Sequence, residues 1–292
     1  MITYNTKDWY GVLFQVHRAD TLRKLAPLVL VIALYTLGIA IIEMEWLNLS
    51  ENSVFKQVSL MHSLLGFAIS MLLVFRTNTA YDRWWEGRKQ WGMLTNNSRN
   101  LAIKLSCIIP KEDVVNRNFF RKAIPLFAAM LRDHLSSEAT RLALDEIDHP
   151  ELEMDQSRHL PNQVAALIMR RVNELYAKGV ISGDQLITLN GEVSSFADIC
   201  GACERIKNTP IPYSYSVFIK KFIFIYVLTL PIGFVFSLGY LVIPVVAFIF
   251  YVLGSLELIA EEIEDPFGGD DNDVPTDKIA ENIKLHVNEI LS

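Results

Sequence analysis

Seven carboxylates fall within the stretch EEIEDPFGGDDND, from Glu261 to Asp273. Hard divalent cations such as Ca2+ take carboxylate and backbone carbonyl oxygens from flexible loops. A helix end followed by an acidic turn offers both, because the last carbonyls of a helix have no partner within it. Pro266, Phe267, Gly268 and Gly269 break the stretch between two acidic groups: Glu261, Glu262, Glu264 and Asp265 before it, and Asp270, Asp271 and Asp273 after it. The ligand spacing of an EF-hand is absent. A plain solvated acidic turn has the same composition, so both readings stand at this level.

A second pattern concerns ions without binding them. Phe67, Met71 and Phe75 recur every four residues and share one helical stripe. Such a stripe commonly packs against lipid or a bundle core. Placed around an axis by several subunits, it forms a hydrophobic constriction that gates by dewetting. Gly66 and Ser70 on the same segment admit a close neighbour.

Catalytic chemistry finds little support. No nucleophile elbow, zinc-protease helix or P-loop occurs. Cys200 and Cys203 form a C-x-x-C without a second cysteine pair or a histidine close by in sequence, so they read as small helix-packing residues. The chain is not expected to be an enzyme.

The elements carrying these residues are apolar. Leu25–Met44, Val58–Phe75, Phe222–Leu238 and Tyr240–Ala260 each approach the length that spans a hydrocarbon core. Pro231 and Pro244 lie in the last two spans and suggest kinks. Between the second and third spans, residues 76–215 show amphipathic helical periodicity at 99–109, 119–137, 161–179 and 196–208. Ser182-Gly183-Asp184 and Asn190-Gly191-Glu192 look like turn and helix-start signals. An acidic turn and a final helix occupy 261–292. The fold class is therefore an all-α membrane protein with four transmembrane helices per subunit and a helical polar region.

Charge sets the orientation and the partners. The loop between the first two spans holds one basic residue, whereas the amino-terminal segment and the central region are rich in lysine and arginine. The positive-inside rule then places both termini and residues 76–215 in the cytoplasm. The first residues, MITYNTKDWYGVLFQVHRADTLRK, lack a short apolar core with a cleavable end, so no signal peptide is expected. A net charge of −6 argues against a nucleic-acid partner. Half of the composition is hydrophobic (51%) while 21% is charged, which fits apolar residues gathered into bilayer-facing segments.

Three ordered motifs carry a family resemblance: SLLGFAISMLLVFRTNTAYDRWWEGRKQWG (63–92), GACERIKNTPIPYSY (201–215) and AEEIEDPFGGDDNDVP (260–275). The sequence resembles the bestrophins, specifically their bacterial homologues. The resemblance implies a homopentameric ion channel with one axial pore, set in the bacterial inner membrane as a multi-pass protein. Its neck falls on Phe67, Met71 and Phe75, where Met71 departs from the commoner Ile or Phe. A second, cytosolic aperture falls at Asp184, or at Gln185 if the register slips. Small monovalent ions would pass: chloride and other anions by family resemblance, or Na+/K+ as in some bacterial relatives. A non-conducting scaffold is a further alternative. A calcium clasp is implied at Asp270 and Asp273 through side chains and at Glu262 and Asp265 through backbone carbonyls, completed by an amino-terminal carbonyl of a neighbouring subunit. Gly269 and Asn272 stand where acidic residues are common.

Overall fold

The computed structural model describes residues 20–46, 58–136 and 158–292, and every regular element among them is helical. The helices are α1 (Asp20–Ile41), α2 (Val58–Ile108), α3 (Val114–Leu135), α4 (Leu160–Ala177), α5 (Gly183–Asn208), α6 (Tyr213–Leu238), α7 (Val242–Glu264) and α8 (Thr276–Ile290). They divide between two compact units, one from residues 2–82 with 210–264 and one from residues 83–209 with 265–292.

The first unit holds α1, the first part of α2, α6 and α7. Its apolar stretches, Thr21–Trp46, Tyr213–Glu264 and the start of the one beginning at Leu60, are long enough to cross a membrane. Helix α7 packs against both α1 and α6. Ile32, Ile69, Leu73, Ile223, Val246 and Phe250 form its interior, while Leu30, Val31, Ile225 and Phe248 face outward. Apolar on both faces, these helices suit a lipid surround rather than water.

Gly66 of α2 lies close against α6. A β-carbon there would lie 2.8 Å from the Tyr226 hydroxyl of α6. Helix α6 continues through Pro231. Pro244 lies in the first turn of α7, where the amide it lacks would have had no helical partner. The chain reverses between α6 and α7 at Gly239, whose φ of 53° favours glycine.

The second unit holds the rest of α2 with α3, α4, α5 and α8. Helix α3 packs on α8 and α4, and α4 packs on α5. The core is apolar, with Phe127 stacked on Phe196 at 4.8 Å and Trp91, Leu105 and Ile124 fully buried. Residues 99–108 are helical, as their periodicity predicts: they close α2, which runs unbroken for 51 residues to Ile108. One start signal is corrected here. Asn190-Gly191-Glu192 is not a helix start but lies inside α5. A lone helical glycine costs only about 1 kcal/mol, and Glu192 is tied to Lys104 at 2.7 Å. The start at Ser182 holds: its hydroxyl accepts from the Gln185 amide, and the Gln185 side chain returns the bond to the Ser182 N–H.

Candidate functional site: neck stripe and acidic turn

Phe67, Met71 and Phe75 are 71%, 50% and 53% exposed. The opposite face of the same helix carries the buried Ile69, Leu73 and Arg76. Asn78 and Asp82 continue the exposed stripe by one and two further turns. The stripe therefore runs from aromatic and thioether groups to an amide and a carboxylate, with no basic residue on it.

Directly behind Phe75, the Arg76 guanidinium is 1% exposed. It donates to Glu257 Oε1 at 3.4 Å and to Glu264 Oε2 at 2.7 Å. The other Glu264 oxygen accepts from the Ile211 amide at 2.7 Å. That bond anchors the rigid Pro210-Ile211-Pro212 lead into α6. Arg76 Nη1 and Glu257 Oε2 are buried and lack a hydrogen-bond partner. Sequence patterning missed this triad, because its members lie far apart in the chain. The one signal available was Arg76 and Glu257 sitting at the ends of otherwise apolar spans.

The acidic turn lies in the second unit from Asp265 onward. Pro266 and Phe267 are buried against Gly87 of α2, where a β-carbon would meet the Phe267 ring at 3.0 Å and Pro266 at 3.1 Å. The Val274 amide donates to the Pro266 carbonyl at 3.0 Å, and Trp84 Nε1 donates to the Asn272 carbonyl at 2.9 Å. Asp273 sits inside the turn, its Oδ2 accepting from the Gly269 and Asp270 amides at 2.5 and 2.7 Å. Gly269 has φ 103°, a backbone conformation that favours glycine. Asp273 Oδ1 is buried with no partner. Burial, reinforced by the charges of Asp270 and Asp265 and opposed by the two amides, pushes the Asp273 carboxyl up to about 6. Asp265 and Asp270 are exposed, and a cleft of about 400 Å³ lined by Asp133, Gly269, Asp270 and Asp273 opens beside the turn. Glu262 belongs to the first unit, where its side chain accepts from Lys24 at 3.1 Å.

These motifs and this fold have counterparts. The sequence matches the family described as bacterial/fungal bestrophin protein over residues 1–289. It belongs to the bestrophin family. Among curated proteins, this bestrophin is 31% identical to a voltage-dependent anion channel-forming protein of Nostoc sp., covering 100% of this chain and 94% of that one. It is also 31% identical to a protein of the same description from Synechocystis sp., covering 97% and 92%. Among solved structures, a single-site variant of a bacterial bestrophin homologue from Klebsiella pneumoniae matches with a TM-score of 0.78 at 26% identity, covering 92% of this chain and 100% of that one.

The two residues offered for a cytosolic aperture differ in their surroundings. Asp184 is exposed in the first turn of α5, whereas the Gln185 side chain is engaged in the capping box. Ile187, three residues beyond Asp184 and 73% exposed, is an outward apolar residue that the motif count did not single out. The C-x-x-C cysteines are buried, and desolvation, with the Glu204 charge contributing, pushes both thiols up to about 12. At neutral pH both thiols stay protonated, which disfavours nucleophilic or redox chemistry there.

Proposed function

We propose that this bestrophin is an ion channel for small monovalent anions, chloride among them, assembled as a homopentamer with α2 lining an axial pore. The exposed stripe of Phe67, Met71 and Phe75, backed by a buried opposite face, carries the reading. The description of its relatives as anion channel-forming proteins supports it. Five copies of the stripe would make a neck without charge, crossed when water fills it. Met71 would give that neck a flexible middle ring. The aperture is assigned to Asp184. The protein would sit in the bacterial inner membrane with both termini and the second unit in the cytoplasm, as the distribution of basic residues favours.

The acidic turn suits Ca2+. Asp273 offers an oxygen that is buried, ionisable and unpartnered, as a cation ligand should be. Asp270 offers an exposed carboxylate, and Glu262 and Asp265 are assigned through their carbonyls. Bound there, Ca2+ would neutralise crowded carboxylates. The amino-terminal segment assigned to complete the clasp lies outside the described residues.

One observation favours cations instead. Asp82 continues the neck stripe, and Asp184 is exposed on α5, so two rings of five carboxylates would favour Na+ or K+. Planar-bilayer recordings of the purified protein test both readings. Conductance is expected, rising in the Phe67→Ala, Met71→Ala, Phe75→Ala triple variant. The reversal potential in asymmetric KCl gives the sign of the permeant ion. A silent wild type and a silent triple variant would leave the scaffold reading. Native mass spectrometry counts the subunits.

A further inference from the structure

We propose that His134, His159 and Glu204 form a binding site for a divalent transition-metal ion, of which Zn2+ is the natural probe. Nothing in the sequence draws them together. His134 lies in the last turn of α3, His159 is the N-cap of α4, and Glu204 is on α5. The packing of α4 against α3 and α5 brings the three side chains to one point.

The geometry there is that of a site held together by hydrogen bonds. Glu204 Oε1 accepts from Nε2 of His134 at 2.7 Å and from Nε2 of His159 at 2.6 Å. The two rings lie 4.3 Å apart between centroids, tilted by 54°. One ligand atom from each residue falls within 4.8 Å of the others. Metal bonds of about 2.1 Å in a tetrahedron place ligand atoms about 3.4 Å apart. The hydrogen-bonded contacts therefore need to open by less than about 1 Å. The three side chains are 21%, 31% and 30% exposed, which leaves room for that movement and a solvent-facing fourth position.

The donor set selects the ion. Two imidazole nitrogens with one carboxylate suit Zn2+, Co2+, Ni2+ or Cu2+, whereas Ca2+ and Mg2+ want oxygen throughout. Burial raises the Glu204 carboxyl, but the His159 and His134 hydrogen bonds outweigh it and hold the group below the usual carboxylate range. Cys200, one turn earlier on α5, stays protonated without a metal and is not assigned as a ligand.

Protons balance on loading. In the metal-free state each Nε2 carries the proton it donates to Glu204. His159 Nδ1 accepts from the Asn162 amide at 3.2 Å, which leaves Nε2 as the nitrogen that donates to Glu204. A metal bound at Nε2 moves the ring proton to Nδ1, and the Asn162 amide turns to water at an exposed helix start. One weak cap bond is exchanged for a metal bond that clamps three helices. Because the ion binds only where the three helices meet, it stabilises the fold.

The test uses full-length protein in detergent, stripped of metal and dialysed against Zn2+ with excess Ca2+ present to occupy the acidic turn. One zinc per subunit by mass spectrometry and a higher thermal midpoint are expected. His159→Asn keeps a good N-cap and removes the ligand. It should weaken zinc binding by at least the 10–100-fold that loss of mere supporting contacts costs, and the rise in midpoint that zinc gives should shrink with it. His134→Gln and Glu204→Gln should do the same, so one poorly folding variant does not leave the question open. Co2+ should give a visible absorption band that disappears in Glu204→Gln. A wild type that retains no zinc, or variants that bind it as tightly as wild type, would overturn the proposal.

Discussion

Neutralising Asp273 should stabilise the calcium-free protein, against the usual expectation for removing a buried, hydrogen-bonded carboxylate. Its pKa of about 6 in the fold, against an ordinary 3.8, means that ionisation at neutral pH costs about 3 kcal/mol. Below pH 3.8 the group is protonated both folded and unfolded. Its stabilising proton is lost as pH rises through about 6, and above that the fold carries a buried charge. In Asp273→Asn the side-chain oxygen still accepts from the Gly269 and Asp270 amides. Its NH2 takes the place of the unpartnered Oδ1 and costs about 1–2 kcal/mol. The net gain at pH 7.5 is about 1–2 kcal/mol, a rise of about 2–6 °C in thermal midpoint. The assay is a melting curve in EGTA at pH 7.5 and at pH 4.5, where the gain should vanish or reverse. Adding Ca2+ should raise the wild-type midpoint and leave the variant unmoved. A variant less stable than wild type in EGTA at pH 7.5, or a difference independent of pH, would refute the burial argument. A wild type indifferent to Ca2+ would refute only the assignment of that ion.

Arg76→Met should lower stability by about 3–5 kcal/mol, because it leaves Glu257 and Glu264 buried without their cation. Adding Glu257→Gln and Glu264→Gln should recover much of the loss, read as thermal midpoint and monodisperse yield on size exclusion; equal stability of Arg76→Met and wild type would discount the triad. Alkylation by iodoacetamide at pH 8 should label the exposed Cys107 and spare Cys200 and Cys203, whose thiols are pushed up to about 12. Rapid labelling of all three cysteines would contradict that burial.

Much of this bestrophin was legible in its sequence because the signals are local. Apolar runs locate helices by length, and the four-residue recurrence of Phe67, Met71 and Phe75 locates a stripe by helical geometry alone. Ser182 with Gln185 marks a helix start through bonds that span three residues. The acidic turn is equally local: its Pro-Phe-Gly-Gly break and carboxylate cluster are read directly. What local pattern cannot supply is the partner across the fold. That one helix carries both the second span and the residues after it to Ile108 was not legible, because polarity changes along it while its backbone does not.

Sequence alone determined helices, their apolar faces and the family. Tertiary structure decided which charges meet. Arg76 finds Glu257 and Glu264, and His134 and His159 converge on Glu204, through contacts between residues from 45 to 188 positions apart. It also decided that Asp273 turns inward while Asp270 remains outside, and that Gly66 and Gly87 face the Tyr226 hydroxyl and the Phe267 ring so closely that a β-carbon would make them shift. Periodicity is set by the backbone's own repeat and is written along the chain. Electrostatic partnership and close packing depend on distances that exist only once distant helices have come together.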